Sequence, residues 1–189
     1  MRSVRRVLRG NLLVFILGDS IRQLSMFITF PYFSLYIQAL GGSMVDIGLV
    51  NGLRPLAALF IYPVAGYLSD RYSRVRIIAF TGYLTAAIWL FFILAPDWRM
   101  LALGNLLQGL VTFYFPAASS LMADSLPPEK RGVGYSLWMA VPSAIGIISP
   151  YIGGYLITVR GVEQAMRFLY GLTLIAAVGI ATMNLRFLK

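Results

Sequence analysis

The chain of 189 residues contains no cysteine and no histidine, and only 12% of it is charged. Those absences remove disulfide staples, thiol catalysis, zinc sites built from Cys and His, and an imidazole proton shuttle. Acids are scarcest, seven Asp plus Glu against sixteen Lys plus Arg, which leaves a formal charge of +9. What fills the space is apolar: 59% of residues are hydrophobic and the mean hydropathy is +0.77. A soluble domain carries roughly 45–50% apolar and 25% charged residues, so this composition cannot wet a globular surface and implies a membrane protein.

A hydrocarbon core of about 30 Å needs roughly 20 apolar helical residues at 1.5 Å each. Runs of that length predict transmembrane helices over Asn11–Ala39, Ile47–Ser69, Ile77–Ala95, Met100–Ala123, Val133–Val159 and Ala165–Leu185. The connections hold nearly all the Gly-Gly, Pro-Pro and Pro-Asp pairs and the charge clusters. Basic residues accumulate in loops that stay in the cytoplasm. Arg2, Arg5, Arg6 and Arg9, then Arg71, Arg74 and Arg76, then Lys130 and Arg131, then Arg186 and Lys189 all fall on one side, against Arg99, Arg160 and Arg167 on the other. Both termini are therefore expected in the cytoplasm. The positive charge reads as topology and anionic-lipid contact, not as a nucleic-acid surface. Met1–Arg9 and the following run resemble the start of a signal peptide, but no small-x-small cleavage site interrupts the run before Leu35, so a retained first span is expected.

The segment after the second run reads Gly66-Tyr67-Leu68-Ser69-Asp70-Arg71-Tyr72-Ser73-Arg74-Val75-Arg76. It resembles the loop G-x-L-[AS]-D-[RK]-x-G-[RK]-[RK] between helices two and three of the major facilitator superfamily, with Ser73 in place of a glycine. Gly66 is expected to admit a neighbouring helix, Asp70 to end the span, and the arginines to sit at anionic headgroups. In the fifth run, Gly146, Pro150, Gly153 and Gly154 resemble the G-x-x-x-G-P-x-x-G-G pattern of antiporters in that family, with Ser149 replacing the glycine before proline. Pro150 frees a carbonyl and bends its helix, and the glycines offer a flat packing surface. A kinked packing helix and a specific antiporter gate explain that stretch equally well. In the fourth run, Asn105-Leu106-Leu107-Gln108-Gly109 resembles the family's R-x-x-Q-G motif with Asn105 at the arginine position.

The resemblance implies an all-α fold of six transmembrane helices arranged as two inverted three-helix repeats, about residues 1–95 and 96–189, which together form one half of a usual member. An echo of the repeat is visible in Pro63-Val64-Ala65-Gly66-Tyr67-Leu68 against Pro150-Tyr151-Ile152-Gly153-Gly154-Tyr155-Leu156. By the same resemblance, Asp70, Arg71, Arg74 and Asp124 with Gly66 would form a cytoplasmic conformational latch that breaks during transport. Exposed pairs of this kind are worth about 0–1 kcal/mol each, so the latch would contribute little to global stability.

Asp19, Arg22 and Arg54 lie inside runs, where a charge costs roughly 2.5–3.5 kcal/mol on insertion scales and needs a cavity or a partner. Asp19 and Arg22 are three residues apart and share a helix face with Gln23 and Met26. They form either a neutral packing pair or a proton-coupling pair. Arg54 either attracts an anionic group of a substrate, pairs with Asp46, or bonds carbonyls freed by Pro55. Gln23, Arg54, Asn105, Gln108 and Thr112 are candidate substrate contacts, although helix-to-helix hydrogen bonds would use the same polar groups. Trp89 and Trp98 read as lipid contact and interfacial anchors.

One intramembrane acid without a second carboxylate, His or Cys serves enzyme chemistry poorly. No cofactor or metal is implied. The function expected is that of a secondary transporter, proton-coupled, exporting or exchanging a small solute. It would act with a second six-helix half in the same chain or as a homodimer, in a prokaryotic plasma membrane. The competing expectation is a scaffold or assembly domain with the same fold. The arginines favour an anionic or zwitterionic solute, and the antiporter-like glycines favour efflux of amphipathic compounds.

Overall fold

The computed structural model describes residues 10–188, without the side chains of Ser69 and Asp70. The basic residues Arg2, Arg5, Arg6, Arg9 and Lys189 and the Asp70 side chain, each invoked above, lie outside the described residues. Six spans are long and apolar enough to cross a membrane: Asn11–Ala39, Met44–Leu68, Arg74–Ile93, Trp98–Ser125, Pro128–Arg160 and Val162–Phe187, numbered 1 to 6 below. Among the described residues every regular element is helical.

The observed helices run past the apolar segments into polar flanks, because capping chemistry rather than hydropathy sets their ends. Span 2 starts at a capping box, where the Ser43 hydroxyl accepts from the Asp46 N–H and the Asp46 carboxylate accepts from the Ser43 N–H. Asp97 caps span 4 by accepting from the N–H groups of Arg99 and Met100. Pro128 opens span 5 at a position where its missing N–H costs nothing. Gly161, at φ +77°, makes the turn from span 5 into span 6.

Proline punctuates three spans. Pro31 lies in a 3-10 turn, Phe30–Tyr32, within span 1. Span 4 breaks between Leu110 and Tyr114, one turn ahead of Pro116, and span 5 breaks between Gly146 and Ser149, just ahead of Pro150. Each proline removes a donor to the residue four earlier, and the helix resets there. Span 2 instead stays helical through Pro55 and Pro63.

Span 1 packs chiefly on spans 5 and 6, span 4 on spans 2 and 3, and spans 3 and 6 pack extensively on each other. Exchanging spans 1, 2 and 3 for 4, 5 and 6 leaves this pattern unchanged, as two repeats of one three-helix unit require. Small residues permit the closest approaches, since lipid provides no hydrophobic drive between helices. A Cβ added at Gly109 would strike the Arg54 carbonyl of span 2, and one at Gly153 would strike the Ile28 carbonyl of span 1. At Gly82 an added Cβ would lie 2.9 Å from Ala181 of span 6.

Two apolar cores result. The one nearer the chain termini holds Leu12, Phe15, Ile78, Met122, Trp138 and Leu188. The other, toward the opposite end of the bundle, holds Phe33, Tyr36, Ile37, Val50, Phe92, Leu101, Leu169 and Tyr170. There the Tyr36 hydroxyl donates to the Phe92 carbonyl at 2.8 Å. Arg167 of span 6 donates to the carbonyls of Ile93 and Ala95 at the end of span 3 while pairing with Glu163. A cation on the orphan carbonyls of a helix C-terminus is favourable on both hydrogen-bonding and dipole grounds.

Candidate functional site

Asp19 takes three donors on its carboxylate inside the bundle. It is 3% exposed, and its carboxylate accepts from Arg22 Nε at 2.8 Å, from the Tyr114 hydroxyl at 2.8 Å and from Trp138 Nε1. The i, i+3 spacing on span 1 produces the Arg22 pair, and the guanidinium also lies over the Tyr114 ring, 5.2 Å from its centre. Tyr114 comes from span 4 just beyond its break, and Trp138 from the middle of span 5. One carboxylate thus ties together spans 1, 4 and 5. Trp138 is the partner of this carboxylate that the sequence did not reveal. An indole N–H buried in a membrane needs an acceptor, and Asp19 was the one acid at depth, but the rotational phase of span 5 was needed to join them.

Arg54 is placed differently. It makes no hydrogen bond or ion pair with any described residue, and it borders two adjoining cavities. The first, about 300 Å³, is bounded by Thr29, Phe33, Asn51, Phe92, Asn105 and Tyr170. The second, about 200 Å³, extends toward the end carrying the termini between spans 1, 3, 4 and 6. Met26, Arg54, Trp89 and Gln108 border both. Asp46 does not reach Arg54, since its carboxylate is spent on the cap at Ser43. No described bond joins Arg54 to a carbonyl released by Pro55 either.

The other candidate contacts divide. Asn105 borders the first cavity but donates to the Val50 carbonyl at 2.6 Å, a link between spans 4 and 2. Gln108 borders both cavities with a long 3.5 Å bond to the Thr85 carbonyl. The Thr112 hydroxyl returns to the carbonyls of its own helix at Gln108 and Gly109. Gln23 lines neither cavity: it sits against span 5, where a Cβ on Gly146 would approach its Cγ to 3.2 Å. It stays on the Asp19 stripe, four residues on, but span 5 covers that edge of span 1 and keeps it from either cavity. Trp89 also departs from expectation. It borders both cavities and stacks on Tyr170 with ring centres 5.3 Å apart, so it serves the interior rather than lipid.

Of the latch residues, Arg74 and Asp124 are joined in an ion pair between spans 3 and 4. Arg71 turns back onto its own helix, donating to the Tyr67 hydroxyl and lying over that ring. Gly66 meets no neighbouring helix among the described residues, and a Cβ there would have open space. The close approach expected at Gly66 is therefore absent from this bundle, because span 2 leans on span 4 through its other face. The glycines of span 5 do pack: Gly146 lies against Phe27, and Gly153 and Gly154 lie against Ile28 and Tyr32 of span 1. The carbonyl of Pro150 accepts from the Tyr32 hydroxyl at 2.6 Å, which fixes the bend.

A sequence model of the Major Facilitator Superfamily matches residues 15–188. The chain belongs to the major facilitator superfamily. That is a family of membrane transporters, not of enzymes. Relatives within it include the multi-drug resistance efflux pump PmrA of Streptococcus pneumoniae, 22% identical over 174 residues, covering 90% of this chain and 44% of the pump. The multidrug resistance protein MdtH of Shigella flexneri is 28% identical over 136 residues, covering 71% of this chain and 34% of that protein. The superfamily fold is matched by a bacterial homologue of the human lysosomal transporter Spinster, in an inward-facing and occupied conformation. That match has a TM-score of 0.78 at 17% identity, over 94% of this chain and 43% of the other. The chain spans less than half the length of these relatives.

Proposed function

We propose that the chain is one six-span half of a secondary transporter that exports an amphipathic small solute, coupled to protons, by alternating access. The second half would be either a further part of the same polypeptide or a second copy. The termini of the bundle would face the cytoplasm of a prokaryotic cell, in keeping with the basic loops and the bacterial relatives. Export of amphipathic compounds is favoured by the relatives named as multidrug pumps.

The observation that carries the substrate assignment is Arg54, a cation without a described carboxylate partner beside the two cavities. A guanidinium in such a place is retained when something anionic visits it. Gln108 supplies a weakly committed donor next to it, while Trp89 and Phe92 supply apolar contact. The solute expected is therefore an anionic or zwitterionic molecule with an aromatic or aliphatic body.

Asp19 is the residue proposed to exchange the proton, with Arg22 as its coupled partner. Its carboxylate is enclosed by donors from three spans, so taking up a proton requires that shell to loosen. Separation of span 1 from spans 4 and 5 would do that, which links protonation to a rearrangement of the half. The Arg74–Asp124 pair would open in the same movement as a surface latch.

The test is flux of an anionic amphipathic dye in proteoliposomes, with and without a pH gradient. Gradient-driven flux that D19N uncouples and R54Q abolishes is the expected result. No flux under any gradient, with dye binding also absent, contradicts a transport role and favours a scaffold.

A further inference from the structure

We propose that the Tyr114 hydroxyl is the relay through which a proton passes between the second cavity and the Asp19 carboxylate. This role rests on the proton exchange proposed for Asp19 above, and its test needs neither solute nor flux.

Asp19 is 3% exposed and borders neither cavity, so a proton reaches it only through one of the groups that enclose it. The three donors differ in what they can pass on. The Arg22 guanidinium does not give up its protons, and the Trp138 indole N–H donates but cannot accept. A phenol hydroxyl does both. Tyr114 donates to Asp19 Oδ1 at 2.8 Å and borders the second cavity, while Trp138 borders neither. The break in span 4 ends at Tyr114, which sets its ring beneath the Arg22 guanidinium. The cavity, about 200 Å³, has room for several waters, and Arg22, Arg54 and Gln108 on its wall supply polar partners of the kind that ordered water needs.

The transfer leaves no charge on the ring. A hydronium ion in the cavity gives a proton to Tyr114 Oη and becomes water, while the Tyr114 O–H proton passes to Asp19 Oδ1. The phenol ends neutral, now accepting from Asp19, and the carboxylate has become a carboxylic acid. Arg22 then loses its counter-charge, which loosens the shell in the sense required above. Release runs along the same path in reverse. The charged or titratable groups around this path are Asp19 and Arg22 of span 1, Arg54 of span 2, and Tyr135 of span 5, whose ring lies 5.7 Å from that of Trp138. Among the described residues, spans 3 and 6 bring no charged group to the cavity.

The test is a pH jump on the purified full chain in lipid bilayers. The carboxylic acid band of Asp19 is followed by time-resolved infrared absorption and identified by its loss in D19N. Y114F keeps the ring and removes the relay, so it should slow the rise and decay of the band by about a hundredfold, as loss of a positioned proton-transfer group does. The pH midpoint of the band should move by no more than about one unit, the worth of one hydrogen bond. Y135F removes a hydroxyl that donates to the Ser119 carbonyl in the same core and should leave the rate as in the wild type. In the wild type the rate should fall in heavy water, because O–H bonds break along the relay; this measurement decides if circular dichroism finds Y114F unfolded. A band that rises in Y114F as fast as in the wild type overturns the proposal. So does a rate equal in both solvents, an equal slowing in Y135F, or no Asp19 band at any pH at which the chain is folded. A wild type that takes up protons through Tyr114 yet moves no dye contradicts the transport role alone and leaves the relay standing.

Discussion

Asp19 and Arg54 are both charges inside the bundle, and their surroundings are opposites. Asp19 accepts from Arg22, Tyr114 and Trp138, whereas Arg54 borders open volume without a described partner. A charge with a complete hydrogen-bond shell holds helices in register, and removing it leaves its donors stranded. A charge with an empty shell contributes little to the fold and is kept for what it meets. Asp19 is thus a joint between spans and Arg54 a contact for a visitor.

The largest effect on binding is expected at Arg54. R54Q should weaken binding of an anionic amphipathic dye by at least about tenfold, in line with loss of a charge-assisted bond, while the thermal midpoint barely moves. D19N should do the reverse, lowering stability by about 2 kcal/mol because the Trp138 N–H then faces an amide N–H and Arg22 loses its counter-charge, as read by unfolding in mixed micelles. W138F removes one donor and spares the carboxylate, so its cost should be about 1 kcal/mol by the same measurement. R74A should fall within about 1 kcal/mol in stability, since the Arg74–Asp124 pair lies at the surface, but should change the rate of flux.

Hydropathy alone located all six spans, and the i, i+3 spacing anticipated the Asp19–Arg22 pair, because both depend on sequence-local geometry. Motif likeness brought Arg74 to Asp124 across fifty residues. What could not be read was rotational phase. Trp138 in span 5, and Asn184 and Tyr170 in span 6, face the interior only because of how those helices pack, and a span that is apolar all round gives no periodicity to show it. Gln23 and Gly66 were misplaced for the same reason: each lies on a plausible stripe, but the neighbour chosen by packing stands on a different side. Helix ends were misjudged by a few residues because Ser43, Asp97 and Pro128 extend helices beyond their oily segments.

The most direct test is to measure dye affinity and thermal midpoint together for the wild type, R54Q and D19N. A crossed result is expected, with R54Q losing affinity at an unchanged midpoint and D19N losing midpoint more than affinity. If R54Q instead unfolds readily and binds dye as the wild type does, Arg54 is part of the frame and the assignment of the binding site to it is wrong.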